Sequence, residues 1–188
     1  MVAFVSTPTE VSITEILDNV SLEDALITLP EQMEWVDGQF VEKTGMTLKT
    51  SRVQSRLDTA WRNFKDAQKL GGEVYTEPPC RTNQQIRRPD VAYLTPELLT
   101  QFGESSILPQ SFPLIAEIVS PTDLAEEVFG KANEYLASGC QEVWVLLPDS
   151  HWMMILTPEQ RSLFTTGETA SSPRILPGFT IAIDQLFS

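Results

Sequence analysis

The sequence predicts an α/β fold in which a mixed central sheet is flanked by helices, with an N-terminal hairpin and extra strands after the core. Three observations predict it. PLIAEIVSP (113–121), TDLAEEVFGKANEYLASG and QEVWVLLP follow one another with short connections, the pattern of a strand–helix–strand crossover between parallel strands. Ahead of that unit lies a long stretch of three- and four-residue apolar spacing, the mark of an amphipathic helix, and behind it come further strand-like runs. The composition agrees: 188 residues, 41% hydrophobic and 21% charged, fit one globular chain with a substantial core.

Taken in order, the first ten residues carry little pattern and are expected to be loosely packed. Ser21, with Asp24 three positions on, resembles the cap of a short helix that Pro30 ends. Residues 1–30 are therefore read as an N-terminal extension and residues 31–188 as a single domain. Asp37-Gly38 between the arms of EQMEWVDGQFVEK predicts a hairpin over 32–43. From Thr47 to Leu70, Val53, Leu57, Trp61 and Phe64 fall at helical spacing, and Gly71-Gly72 supplies the stop. The outward face of this helix carries Lys49, Arg52, Arg56, Arg62, Lys65 and Lys69. Such charges either solvate an exposed helix or form a basic wall beside a nucleic-acid cleft.

EVYTEPP and QQIRRPDVAYL read as two strands of an antiparallel pair separated by a polar turn. Thr95-Pro96-Glu97 opens a short helix, and a loop over 103–110 leads into PLIAEIVSP. Thr122 or Asp123 caps the next helix, Gly139 ends it, and Leu124, Val128 and Tyr135, with Ala132 and Leu136 beside them, form its apolar stripe. HWMMILTP and the segment around SLFTTG add strands at one edge, and ILPGFTIAIDQLF closes the chain with a turn and an apolar segment.

Several classes are disfavoured. A net charge of −13, from 13 basic and 26 acidic residues, argues against tight constitutive nucleic-acid binding, since Lys and Arg supply most of that affinity. It leaves room for weak DNA binding through a local basic cleft. Cys80 and Cys140 lie far apart and outside any CxxC, so free thiols in a reducing cytoplasm are expected rather than zinc or disulfides. No run approaches the roughly 20 apolar residues that span a bilayer, and MVAFVSTPTE lacks the features of a signal peptide. No membrane association is expected, and the expected location is cytoplasmic. The lone His151 has no evident partner, no GxSxG is present, and Gly130-Lys131 lacks the rest of a phosphate-binding loop.

One residue breaks the pattern of its element. Glu117 is a carboxylate inside an apolar strand, and buried carboxylates need a partner. On the following helix, positions 124, 128, 131 and 135 share a face, and position 131 is Lys; its ammonium is expected to pair with Glu117 while its methylenes pack in the core. A second carboxylate, Asp90, follows Pro89 at a strand entry. If that strand neighbours the one bearing Glu117, the two acids repel unless a cation sits between them. Magnesium, with manganese as a substitute, suits two carboxylates and retained waters. The bland alternative is a structural ion pair.

RRPDVAYL, AEIVSPTD, GKANEYLASGCQEVWVLLPD and the terminal LPGF, in this order and spacing, resemble the Uma-type putative restriction endonuclease family of the PD-(D/E)XK nuclease superfamily. In the simple superfamily motif the lysine would stand at Val119; in this family it is moved to the next helix. The resemblance covers most of the chain from Glu34 onward and implies a restriction-endonuclease-like fold and magnesium-dependent endonuclease activity on DNA. It assigns metal binding to Asp90, Glu117 and the carbonyl of Ile118, and the catalytic lysine to Lys131. It also implies an acid from the N-terminal part of the site, for which Glu42 is the candidate with Glu34 and Glu77 behind it. Where related proteins carry a histidine near the start of the long helix, this chain has Thr50-Ser51. A homo-oligomer is implied, and LPGFTIAIDQLF with Trp144 and Trp152 is expected to offer surface for it. The alternative is a catalytically silent module with the same fold, acting through protein contacts.

Overall fold

The protein is described by a computed structural model over residues 20–43 and 46–188. The expectation for the first ten residues lies outside this range. Local signals set the first elements. The Ser21 hydroxyl accepts the Asp24 N–H and caps helix α1 (Leu22–Thr28). Asp37 and Gly38 both take positive φ, 50° and 89°, as a tight hairpin turn requires, and join strand β1 (Met33–Val36) to β2 (Gln39–Glu42). Thr47 and Thr50 bond reciprocally in a capping box that starts helix α2 (Leu48–Ala67).

The next segment departs from the expected two strands. EVYT forms β3 (Glu73–Thr76), but QQIRRPDVAYL is divided into β5 (Ile86–Arg87) and β6 (Val91–Leu94), with β4 (Cys80–Arg81) preceding both. Pro89 explains the division. It has no N–H to give to a ladder and holds Arg88 out of regular pairing. β5 joins a small sheet ordered β2-β1-β5-β4, whereas β6 enters the main sheet beside β3.

Helix α3 (Pro96–Phe102) begins at Thr95, which makes no side-chain cap bond. Strand β7 (Leu114–Ile118) is buried along its whole length, as a strand covered on both faces must be. Helix α4 (Ala125–Ala137) starts from Leu124, which is 60% exposed and outside the apolar stripe. Neither Thr122 nor Asp123 caps it; the Asp123 carboxylate instead accepts the Ser120 N–H at 2.7 Å. Strands β8 (Glu142–Leu147), β9 (Trp152–Leu156) and β10 (Arg161–Phe164) follow, then β11 (Thr169–Ser171), β12 (Thr180–Ala182) and helix α5 (Ile183–Phe187).

The main sheet runs β10-β9-β8-β7-β6-β3, parallel between β7 and β8 and antiparallel elsewhere, with α4 as the connection between its parallel pair. One face packs Leu114, Ala116, Trp144 and Leu146 against Val53, Leu57 and Trp61 of α2 and against the chain's last elements. The other packs Ala92, Ile115, Val143 and Val145 against Val128, Ala132 and Tyr135 of α4. Helix α1 lies on the small sheet through Ala25, Trp35 and Ile86.

The C-terminal run is core and not the expected assembly surface. Leu176, Phe179, Ile181, Ile183, Leu186 and Phe187 are buried together with Trp144, and of the large apolar residues in this group Trp152 alone is exposed, at 47%. A buried carboxylate anchors this layer. Glu142 is 0% exposed and accepts from Ser172 Oγ at 2.8 Å, the Arg174 N–H at 2.6 Å and Trp144 Nε1 at 3.3 Å. Glu142→Ala would orphan these buried donors, so it is expected to lower unfolding free energy by roughly 3 kcal/mol, measured by urea denaturation.

The basic face of α2 is largely engaged by partners. Lys49 pairs with Asp149 at 2.7 Å, Arg62 with Asp58 and Glu73, and buried Lys65 with Asp66, while Arg56 donates to the carbonyls of Leu186 and Ser188. Cys80 and Cys140 are free and buried. His151 stacks on Phe187 with ring centroids 5.5 Å apart. Among the described residues no helix is long and apolar enough to cross a membrane.

Candidate active site

The ladder between β6 and β7 sets Tyr93 opposite Leu114 and Val91 opposite Ala116. One step further in the same register brings Asp90 across from Glu117. Residues opposed in this way project to one side, with Cβ atoms about 4.5–5.5 Å apart. By alternation they share the side of Ala92 and Ile115, which is the side that α4 covers. The two acids singled out in the sequence therefore meet beneath the helix that carries Lys131.

Asp90 is held at its carbonyl and at both carboxylate oxygens. Its carbonyl accepts Gln54 Nε2 at 2.9 Å and the Glu77 N–H at 3.1 Å. Its Oδ2 accepts the Ile118 N–H at 2.6 Å, and its Oδ1 lies 2.6 Å from Lys43 Nζ. Burial of Lys43 disfavours its charge, but Asp90, Glu117 and Glu77 together outweigh that and hold its pKa above the ordinary lysine value.

Glu117 is not paired as expected. Its Oε1 accepts the Tyr135 hydroxyl at 2.8 Å, whereas Lys131 Nζ sits 3.1 and 3.2 Å from the two carboxylate oxygens of Glu34. Burial pushes the Glu117 carboxyl up to about 7; Asp90 adds to the rise, and Lys131 and Lys43 oppose it. Glu34, on β1, shows the opposite outcome. Its burial also favours the neutral form, but Lys131, Arg87 and the Arg88 N–H overcome this and hold its pKa below the usual carboxylate value. Lys131 is raised, because Glu117 and Glu34 outweigh the cost of its burial. Arg87 closes the network by pairing with both Glu34 (3.1 Å) and Glu134 (2.7 Å).

These groups floor and wall a cleft of about 600 Å³, which also takes in Glu42, Glu77, Thr50, Ile118 and Asp123. Glu42 is exposed on its wall; of the three candidate N-terminal acids, Glu34 is the one that touches Lys131. The basic groups lining the cleft are Lys43, Arg87 and Lys131, and α2 contributes Thr50 in place of any of its five cations. Among the described residues no group of three or more His, Cys, Asp or Glu side chains is gathered for a metal ion. The donors present are hard oxygens from two carboxylates with a main-chain carbonyl close by. They fit magnesium, which accepts one or two carboxylates and keeps several waters. Burial is the main cause of the raised Glu117 pKa, with Asp90 adding to it, and a cation bound there would favour the ionised carboxylate.

Sequence reasoning missed Lys43, Arg87 and the role of Tyr135. A signal existed for the last, because a tyrosine hydroxyl in a buried helical stripe needs a partner. Lys43 gave none, since its reach to Asp90 depends on how the hairpin folds over the main sheet.

The model of the family described as "Uma2: Putative restriction endonuclease" matches residues 22–184. A solved structure, that of a putative nuclease belonging to DUF820 from Anabaena variabilis ATCC 29413, superposes with a TM-score of 0.79 at 20% identity, covering 89% of this chain and 97% of that one. This likeness shows the restriction-endonuclease-like α/β fold. No curated protein matches the chain.

Proposed function

Since the chain belongs to the Uma2 family of putative restriction endonucleases, we propose that it is a magnesium-dependent endonuclease that hydrolyses phosphodiester bonds in DNA, with manganese able to substitute. One observation carries this reading: the register of β6 and β7 sets Asp90 across from Glu117 at the floor of a cleft where Lys43, Arg87 and Lys131 stand among a larger number of carboxylates. Magnesium held there would polarise a phosphate oxygen and lower the pKa of a bound water.

The chain's own residues supply the rest. Asp90 and Glu117 would hold the ion, with the Ile118 carbonyl as a third protein oxygen. The Ile118 N–H fixes one Asp90 oxygen, and the Tyr135 hydroxyl fixes one Glu117 oxygen, so both carboxylates are oriented before a ligand arrives. Lys131, 26% exposed along its side chain, meets the negative charge that grows on the phosphate. Glu34 holds that lysine in place, and Glu42 on the wall helps to orient water. DNA contacts are weak and local, in keeping with the chain's acidic balance.

The test is cleavage of plasmid and single-stranded DNA with magnesium, manganese or chelator. Asp90→Asn is expected to slow metal-dependent cleavage by roughly a thousandfold or more, equivalent to about 4 kcal/mol of barrier, with an unchanged far-ultraviolet spectrum. Cleavage at the wild-type rate by a folded Asp90→Asn protein overturns the reading.

A further inference from the structure

Resting on that reading, we infer that Lys43 is an exchangeable internal counter-cation: its ammonium neutralises Asp90 in the metal-free protein and leaves that oxygen when a divalent ion binds. The two Asp90 oxygens have different neighbours. Oδ2 is committed to the Ile118 N–H at 2.6 Å. Oδ1 is the oxygen left for a cation, and Lys43 Nζ stands 2.6 Å from it. An ion bound to Oδ1 at about 2.1 Å would place a double positive charge against an ammonium on the same oxygen, and like charges that close exclude each other.

Lys43 is placed to move. Its side chain is 15% exposed and follows β2, the outer strand of the small sheet. Its other hydrogen bond runs to the Arg88 carbonyl at 2.7 Å, and Glu77 lies close enough to favour its charge. An ammonium that gives up Asp90 therefore still has polar partners. Lys131 differs in kind: its ion pair is with Glu34, which is neither of the proposed metal ligands. The two lysines divide their work, one standing in for the metal and the other held for the phosphate.

Calorimetric titration of manganese and magnesium into wild type, Lys43→Met and Lys131→Met tests the exchange without recourse to activity. Removing the competitor is expected to tighten manganese binding on the order of tenfold or more in Lys43→Met, to lower the melting temperature of the metal-free variant, and to enlarge the rise in melting temperature on adding metal. Lys131→Met is expected to gain much less. Equal affinity in wild type and Lys43→Met overturns the exchange and leaves the nuclease reading standing. An equal gain in both variants also overturns it, because general loss of positive charge would then account for the effect. No binding by any of the folded proteins overturns the metal site and the exchange together. Lys43→Gln, which keeps a donor for the Arg88 carbonyl, gives the same comparison if the methionine variant does not fold.

Discussion

Glu117→Gln is expected to slow cleavage by roughly a thousandfold and, in the same protein, to raise the stability of the metal-free fold at pH 8. The two effects have one cause. Burial and the neighbouring Asp90 push the Glu117 carboxyl up to about 7, against an ordinary 4.5, so the folded state binds this proton more tightly than the unfolded state does. Stability then falls as pH rises wherever the folded state holds the extra proton, here between about pH 4.5 and 7. The size of the shift corresponds to roughly 3 kcal/mol at its upper end. Glutamine keeps an acceptor for the Tyr135 hydroxyl and removes the charge, so the variant lacks this decline. Urea denaturation of both proteins at pH 5 and pH 8 reads the effect: the variant gains on wild type at the higher pH, and magnesium restores stability to wild type alone. A variant less stable than wild type at pH 8 would mean that the ionised carboxylate is already fully compensated by Lys131 and Lys43.

The sequence made the acids legible because each broke the rule of its own element. Glu117 is a charge in a strand with apolar neighbours, Asp90 follows a proline at a strand entry, and Lys131 interrupts an apolar helical stripe. Such violations are visible wherever burial can be inferred from periodicity. What was not legible was which cation meets which acid. Lys131 was expected on Glu117 but stands on Glu34, because the small sheet brings β1 beside the N-terminal end of β6, and no local pattern encodes the packing of one sheet against another. The same packing delivers Lys43 to Asp90. It also shifts the expected apo-state repulsion: Asp90 already has its counter-charge in Lys43, so Glu117 is the acid whose neutralisation should stabilise. The fold was legible in its parallel pair, long helix and edge strands, where period and turn residues are strong. It failed at QQIRRPDVAYL, where a single proline sends two halves of one strand-like run into different sheets.

Glu34 tests whether this buried network positions the site or merely fills space. It is 4% exposed and holds Lys131, Arg87 and the Arg88 N–H at once. Glu34→Ala would leave Lys131 without its ion-pair partner and Arg87 with Glu134 alone, and breaking a buried pair from one side costs about 3–5 kcal/mol. The penalty should depend on pH in the opposite sense to that of Glu117. Because the folded pKa of Glu34 is depressed, its contribution is complete above about pH 4.5 and is lost as pH falls through the lower folded value. The difference between wild type and Glu34→Ala in urea denaturation is therefore expected to be full at pH 7 and to shrink in strong acid. Lys131 freed from Glu34 is drawn toward Glu117, the other carboxylate that favours its charge, and would there compete with a divalent ion. A rise in the manganese dissociation constant of about ten- to a hundredfold is expected, the usual scale for residues that orient metal ligands. Unchanged metal affinity alongside the full loss of stability would assign Glu34 to the fold and leave the position of Lys131 to its helix alone.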